Sequence, residues 1–130
     1  MKKEIYKIID KEKLNIVNDS IENAHGLPNE CYLSGPYNNI ERKKIFEEKW
    51  VTIGVASSVP NPGDTKPFDL LGIPLIIIRD KKHQVRVFHN VCSHRGYKLV
   101  QETCSLKNVL RCPYHSWSYD FEGNLVATPH

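Results

Sequence analysis

Two short segments of this chain pair a thiol with an imidazole: Cys92-Ser93-His94 and Cys112-Pro113-Tyr114-His115. Seventeen residues lie between His94 and Cys112, so the pattern is C-x-H followed by C-x-x-H. Two loops of this kind can converge and offer two sulfurs and two nitrogens. Zinc accepts such a set, but its sites usually take like ligands from one turn, a cysteine pair and a histidine pair. Here each loop mixes the two types. A two-iron, two-sulfide cluster with unlike ends demands that mixture, because one iron takes two thiolates and the other two imidazoles. If each loop gives one ligand to each iron, Cys92 and Cys112 bind an inner iron and His94 and His115 an outer one. Zinc remains the alternative on these residues alone.

The elements that position the two loops read as β. Ile73 to Arg79 and Val85 to His89 are β-branched runs joined by Asp80-Lys-Lys-His-Gln84, a hairpin signal. Val109 to Arg111 is a further short strand. Trp117 to Asp120 and Leu125-Val126 flank Phe121-Glu-Gly-Asn124, a second hairpin. Trp50 to Ala56 also reads as a strand, and Val59 to Asp64 as a turn-rich loop. Many short strands with regular turn signals predict a mainly β fold, a small antiparallel sandwich or barrel. Before it, Ile5, Ile8, Ile9, Leu14, Val17 and Ile21 follow near-helical spacing. Asn38 or Asn39 is expected to cap a helix over Ile40 to Lys49, anchored by Ile45, Phe46 and Trp50. The expected organisation is a helical and loop lead-in over 1–37 and the β domain over 38–130.

Bulk properties narrow the function classes. The 130 residues suit one domain. Hydrophobic residues at 40% and charged residues at 25% fit an ordinary globular protein. The formal charge of +3 is small and the lysines are interspersed with acids, so no nucleic-acid partner is expected. The longest apolar run, Ile73 to Ile78, has strand length, so no membrane span is expected. The N-terminus lacks an apolar signal core and carries Glu4, Asp10 and Glu12, which points to the cytoplasm. In that compartment four cysteines favour metal or redox use over disulfides.

Phe88-His-Asn-Val-Cys-Ser-His-Arg-Gly96 and Arg111-Cys-Pro-Tyr-His-Ser-Trp-Ser-Tyr-Asp120 resemble the Rieske [2Fe–2S] domain of ring-hydroxylating (Rieske non-haem iron) oxygenase α subunits. The likeness extends to Leu27-Pro28, Ile45-Phe46, Trp50, Gly54, Val59-Pro60, Pro62-Gly-Asp64, Gly72 with Pro74, and Gly123, and covers about residues 27–130. It implies one [2Fe–2S] cluster on Cys92, His94, Cys112 and His115. It further implies that the chain is the electron-accepting part of an aromatic-ring dioxygenase or related monooxygenase. A reductase or ferredoxin would deliver electrons. A mononuclear iron held by two histidines and a carboxylate, in a catalytic domain of the same or a neighbouring subunit of a trimer, would receive them. No residues for that second iron are expected in this chain, which alone would hydroxylate nothing. A stand-alone Rieske ferredoxin is the alternative, disfavoured by the lead-in before Trp50.

The sequence departs from the family at Ser116, where glycine is commonest. Rieske proteins of cytochrome bc complexes carry a disulfide where Tyr97 and Tyr114 stand, and a cluster-bonding serine where Trp117 stands. Fewer hydrogen bonds to sulfur imply a potential at the low end of the Rieske range, nearer about −150 mV than +300 mV. Trp117 and Tyr114 are expected to shield the cluster. His25 and His83 are expected at the surface, and His89 in a structural role, packing beneath the first loop. His130 has no interpretable context. Cys31 and Cys104 are expected as free thiols. Arg95 and Lys98 form either a solvated rim or a docking surface for an acidic redox partner.

Overall fold

The computed structural model describes residues 2–129, so His130 lies outside the described residues. The chain divides into two compact units, Met1–Val51 and Thr52–His130. In the first, short helices α1 (Lys2–Ile5) and α2 (Lys11–Asn15) lead to a single 3₁₀ turn, Ile16–Asn18. The Asp10 carboxylate caps α2 by accepting from the Glu12 N–H at 2.8 Å. Helix α3 (Glu30–Leu33) follows, then α4 (Gly35–Glu41), which continues into a wider π turn over Arg42–Phe46. The helix expected from Ile40 therefore starts five residues earlier. Ser34, not Asn38 or Asn39, is its cap, and Pro36 sits in the first turn, where a missing N–H costs nothing. Trp50, expected to anchor this helix, is fully exposed.

The second unit is mainly antiparallel β. One sheet has the order β3-β2-β1-β4, built from β1 (Asp64–Leu70), β2 (Ile73–Arg79), β3 (Val85–His89) and β4 (Cys104–Ser105). The other has the order β5-β6-β7, from β5 (Leu110–Arg111), β6 (Ser118–Tyr119) and β7 (Leu125–Ala127). Strand β1 was missed in the sequence because it is polar and contains Pro67. The proline is tolerated because β4 pairs only with Asp64 and Thr65, leaving Pro67 at an open edge. Strand β2 buries Ile76, Ile77 and Ile78 in succession, so both its faces are covered. Ile76 and Ile78 join Val100, Leu110, Tyr119, Phe121, Cys92 and Cys112 in one core cluster.

The expected strand Trp50 to Ala56 does not form. This segment is irregular and ends in a 3₁₀ turn, Ala56–Ser58. At its end a side chain stands in for a ladder: Arg79 donates to the Ala56 oxygen at 2.7 Å and, beyond the turn, to the Val59 oxygen at 2.5 Å.

Both expected hairpins form, and they use the same turn. Asp80 accepts from the N–H groups of Lys82 and Gln84, as Asp120 does from Glu122 and Asn124. The fourth residue of each turn is left-handed, His83 at φ 62° and Gly123 at 93°. Burial pushes the Asp80 carboxyl up, but the Arg86 guanidinium at 2.7 Å and the two N–H groups outweigh it and hold it below the usual carboxylate range. Gly123 is needed for a second reason. A Cβ there would lie 2.7 Å from the Phe88 ring, which packs the second hairpin against β3.

Candidate metal centre

Each Cys–His loop is a turn built to one plan. In the first, the Cys92 N–H donates to the Tyr97 oxygen and the Gly96 N–H to the Cys92 oxygen, both at 2.8 Å. In the second, Cys112 N–H donates to the Trp117 oxygen at 2.8 Å and Ser116 N–H to the Cys112 oxygen at 2.9 Å. The fifth residue of each turn is left-handed, Gly96 at φ 68° and Ser116 at 59°. That conformation is why glycine suits the position and why Ser116 is strained there.

The two turns bring all four sequence-predicted residues together. Cys92 and Cys112 are buried, whereas His94 is exposed and His115 half-buried. The two Nδ1 atoms of His94 and His115 face each other at 3.1 Å. The Cys112 thiol lies within hydrogen-bonding reach of Cys92. Among the described residues, no three His, Cys, Asp or Glu side chains gather round one ion-sized point. The donors stand as two pairs, sulfur inside and nitrogen outside.

Aromatic rings fix the imidazoles across the loops. Trp117 of the second turn stacks on His94 of the first, with centroids 4.7 Å apart and planes 8° from parallel. Tyr114 stacks on His115 at 3.7 Å, and Tyr97 meets Tyr114 at 5.7 Å. Burial lowers the pKa of His115, and the neighbouring His94 and Arg95 lower it further, which favours a neutral imidazole with a free lone pair.

The inner pair has a hydroxyl that the sequence reading did not use. Tyr119 in β6 places its oxygen 3.3 Å from the Cys92 sulfur and 2.8 Å from the Ser93 hydroxyl, and it accepts from the Ser93 N–H at 3.1 Å. Burial and the adjacent Cys92 raise the Tyr119 pKa, so it stays protonated and can donate to sulfur. Burial pushes the Cys92 thiol up, but the Tyr119 hydroxyl, then the N–H groups of His94 and Arg95 and the Cys112 thiol, bring it below its usual value. This is a pocket that stabilises a thiolate. Tyr119 stands opposite Leu110 in the ladder below the second loop, and its contacts with Cys92 and Ser93 join residues 27 and 26 positions apart, which the motif spacing does not reveal.

Comparison with known proteins completes the picture. The profile of the Rieske [2Fe–2S] domain matches residues 49–130. The chain belongs to the Rieske [2Fe–2S] domain family. A [2Fe–2S] cluster is accordingly its cofactor, and the donor set fits one: two thiols within, two imidazole nitrogens outward. The carnitine monooxygenase oxygenase subunit of Acinetobacter baumannii is 35% identical over 103 residues, covering 79% of this chain and 28% of that protein. The glycine betaine monooxygenase oxygenase subunit of Chromohalobacter salexigens is 32% identical over 78% of this chain and 23% of its own length. Naphthalene 1,2-dioxygenase from Rhodococcus sp. bound to indole superposes with a TM-score of 0.78 at 29% identity, covering 92% of this chain and 26% of that one. This Rieske chain thus matches oxygenase α subunits while spanning less than a third of their length.

His25 and His83 are exposed. His89 ends β3 but is exposed and does not pack beneath the loop; it lines an open hollow of about 310 Å³ with Ser93 and Tyr119. Cys31 is buried and Cys104 exposed, both free thiols. Arg95, next to His94 in the chain, and Lys98 are exposed. Among the described residues, no helix is long and apolar enough to cross a membrane.

Proposed function

We propose that Cys92 and Cys112 bind the buried iron of the cluster and His94 and His115 the outer one. We further propose that the chain is the electron-accepting part of a Rieske non-haem iron oxygenase α subunit. The observation that carries the ligand reading is the division of donors into a buried thiol pair and an outward imidazole pair with Nδ1 atoms 3.1 Å apart. A single zinc would need the four donors around one point, and the two-pair arrangement supports two metal centres instead. When bound, the cluster takes up and releases one electron at a time.

The chain's own residues then have separable tasks. The two turns present the ligands. Trp117 and Tyr114 hold the imidazole planes by stacking on them. Tyr119 and the loop N–H groups offset the negative charge on the inner thiolate. His94, at the exposed end, is the group nearest solvent through which an electron leaves or arrives. Arg95 beside it, with the exposed Lys98 three residues further on, suits a carboxylate-rich partner, a reductase or ferredoxin. The receiving mononuclear iron, in a catalytic domain of the same or a neighbouring subunit, belongs to sequence other than this chain, whose setting is the cytoplasm.

Anaerobic purification followed by iron, acid-labile sulfide and zinc assays tests the ligand reading. About two irons and two sulfides per chain are expected, with an EPR signal of the reduced form showing nitrogen coupling. Stoichiometric zinc without sulfide would overturn it. Reading the DNA beyond codon 130 tests the oxygenase reading. A stop codon with no oxygenase-like frame downstream would favour the stand-alone ferredoxin.

A further inference from the structure

The two cluster turns are closed at their bases by different devices. Beneath the second, Leu110 pairs with Tyr119 and Arg111 with Ser118 in the β5–β6 ladder. The corresponding residues of the first turn, twenty positions earlier, are 90 and 91 facing 98 and 99, and no strand pairing joins them. In its place stands one side chain. Asn90 is 2% exposed. Its Oδ1 accepts from the N–H groups of Leu99 and Val100, both at 3.0 Å, and its Nδ2 donates to the Val100 oxygen at 2.7 Å. Its own N–H donates to the Pro74 oxygen of β2 at 2.8 Å, so the clamp is fixed to the first sheet.

We infer that Asn90 is the positioning residue of the first cluster loop: its carboxamide replaces the missing strand ladder and thereby sets where Cys92 and His94 stand. An amide is suited to this because it alone among small side chains offers an acceptor and a donor in one plane, the same pair a backbone peptide offers. Both flanking strands of the second loop supply that pair from the main chain. The inference rests on the ligand reading given above.

Asn90→Leu and Asn90→Asp in the full 130-residue chain test it. Leucine keeps the volume and removes all three bonds, leaving two buried N–H groups and a carbonyl unpaired. Aspartate keeps both acceptor contacts and loses the donor. Hydrogen exchange read by mass spectrometry on peptides covering 97–103 should accelerate at least tenfold in Asn90→Leu and less in Asn90→Asp, with peptides covering 110–119 unchanged in both. In the loaded protein the midpoint potential should shift in Asn90→Leu, and nitrogen coupling of one histidine should change while that of the other stays. Unchanged exchange at 97–103 with an unchanged potential would overturn the inference. Equal acceleration at 97–103 and 110–119 would overturn it too, as general loosening. Failure of the ligand reading is separately visible. It would appear as unchanged EPR in His94→Ala, while the exchange comparison in cluster-free protein still reports on Asn90.

Discussion

The first and second cluster loops repeat one turn, with the same two hydrogen bonds and a left-handed fifth residue, yet they differ in almost everything around it. The first carries its imidazole two residues after the thiol, the second three. The first has glycine in the left-handed position, the second serine. The first is closed by the Asn90 side chain, the second by a ladder. The first receives the Tyr119 hydroxyl at its sulfur. The comparison teaches that backbone geometry makes each half of the site, whereas side chains differentiate the halves and set their chemistry.

Removing a thiolate should erase the distinction altogether. On the proposed ligand set, Cys92→Ala and Cys112→Ala would each leave the inner iron with one protein ligand, and both should abolish the cluster. The measure is iron and sulfide content after anaerobic purification, expected near zero in both. A variant retaining stoichiometric sulfide would remove that cysteine from the ligand set.

Exchanging an imidazole for a thiolate should preserve a cluster and move its potential. With His94 and His115 on the outer iron as proposed, His94→Cys and His115→Cys would each add negative charge there, which disfavours the reduced state. The midpoint should fall by on the order of 100 mV or more, toward the roughly −400 mV of all-thiolate clusters. His94 is the more exposed, so water offsets part of the added charge there, and His115→Cys is expected to give the larger drop. An upward shift in either variant would contradict the placing of both imidazoles on the outer iron, and equal shifts would overturn the ranking by exposure.

The inner pair offers a subtler asymmetry. Only Cys92 has a hydroxyl at its sulfur, so Tyr119→Phe should withdraw stabilisation from the reduced cluster. One lost hydrogen bond of about 1.4 kcal/mol corresponds to a fall of roughly 60 mV for a one-electron couple. Redox titration of Tyr119→Phe beside Ser93→Ala separates the direct bond from its support, and the serine variant should shift less.

How much of this was legible beforehand follows from which interactions each residue makes. The ligand types, their spacing and both hairpins depend on local chemistry: β-branched runs, an aspartate opening each turn, a thiol beside an imidazole. Those readings agree with the structure for Ile73–Arg79 and Val85–His89. What escaped depends on long-range partners. Trp50 to Ala56 has strand composition, but its last carbonyl, that of Ala56, is taken by Arg79, 23 residues away. Strand β1 looks like loop because its neighbours, not its own residues, supply the apolar contacts. The weight of Tyr119 likewise comes from Cys92, which the second motif does not contain. The low-potential expectation counted Trp117 in place of serine and left this hydroxyl out.

The smallest effect concerns the left-handed position itself. Gly96→Ala and Ser116→Gly are opposite changes at equivalent places. A Cβ on Gly96 would meet the Val91 side chain at 3.9 Å, an ordinary contact, so its cost is conformational: about 1–2 kcal/mol of left-handed strain, offset by about 0.4–1 kcal/mol from the stiffer unfolded chain, a net loss of about 0.8 kcal/mol. In a folded unit of this size that is a fall in Tm of roughly 3–6 °C. Ser116→Gly relieves the same kind of strain but adds freedom to the unfolded chain, worth about 0.4–1 kcal/mol in the other direction. Its net change should therefore stay within about 1 kcal/mol. Thermal unfolding of the two variants and the wild type, followed by circular dichroism in cluster-free protein, checks the sign and order. A Gly96→Ala variant as stable as wild type would show that the two turns do not share the left-handed geometry, and the equivalence of the loops would fail with it.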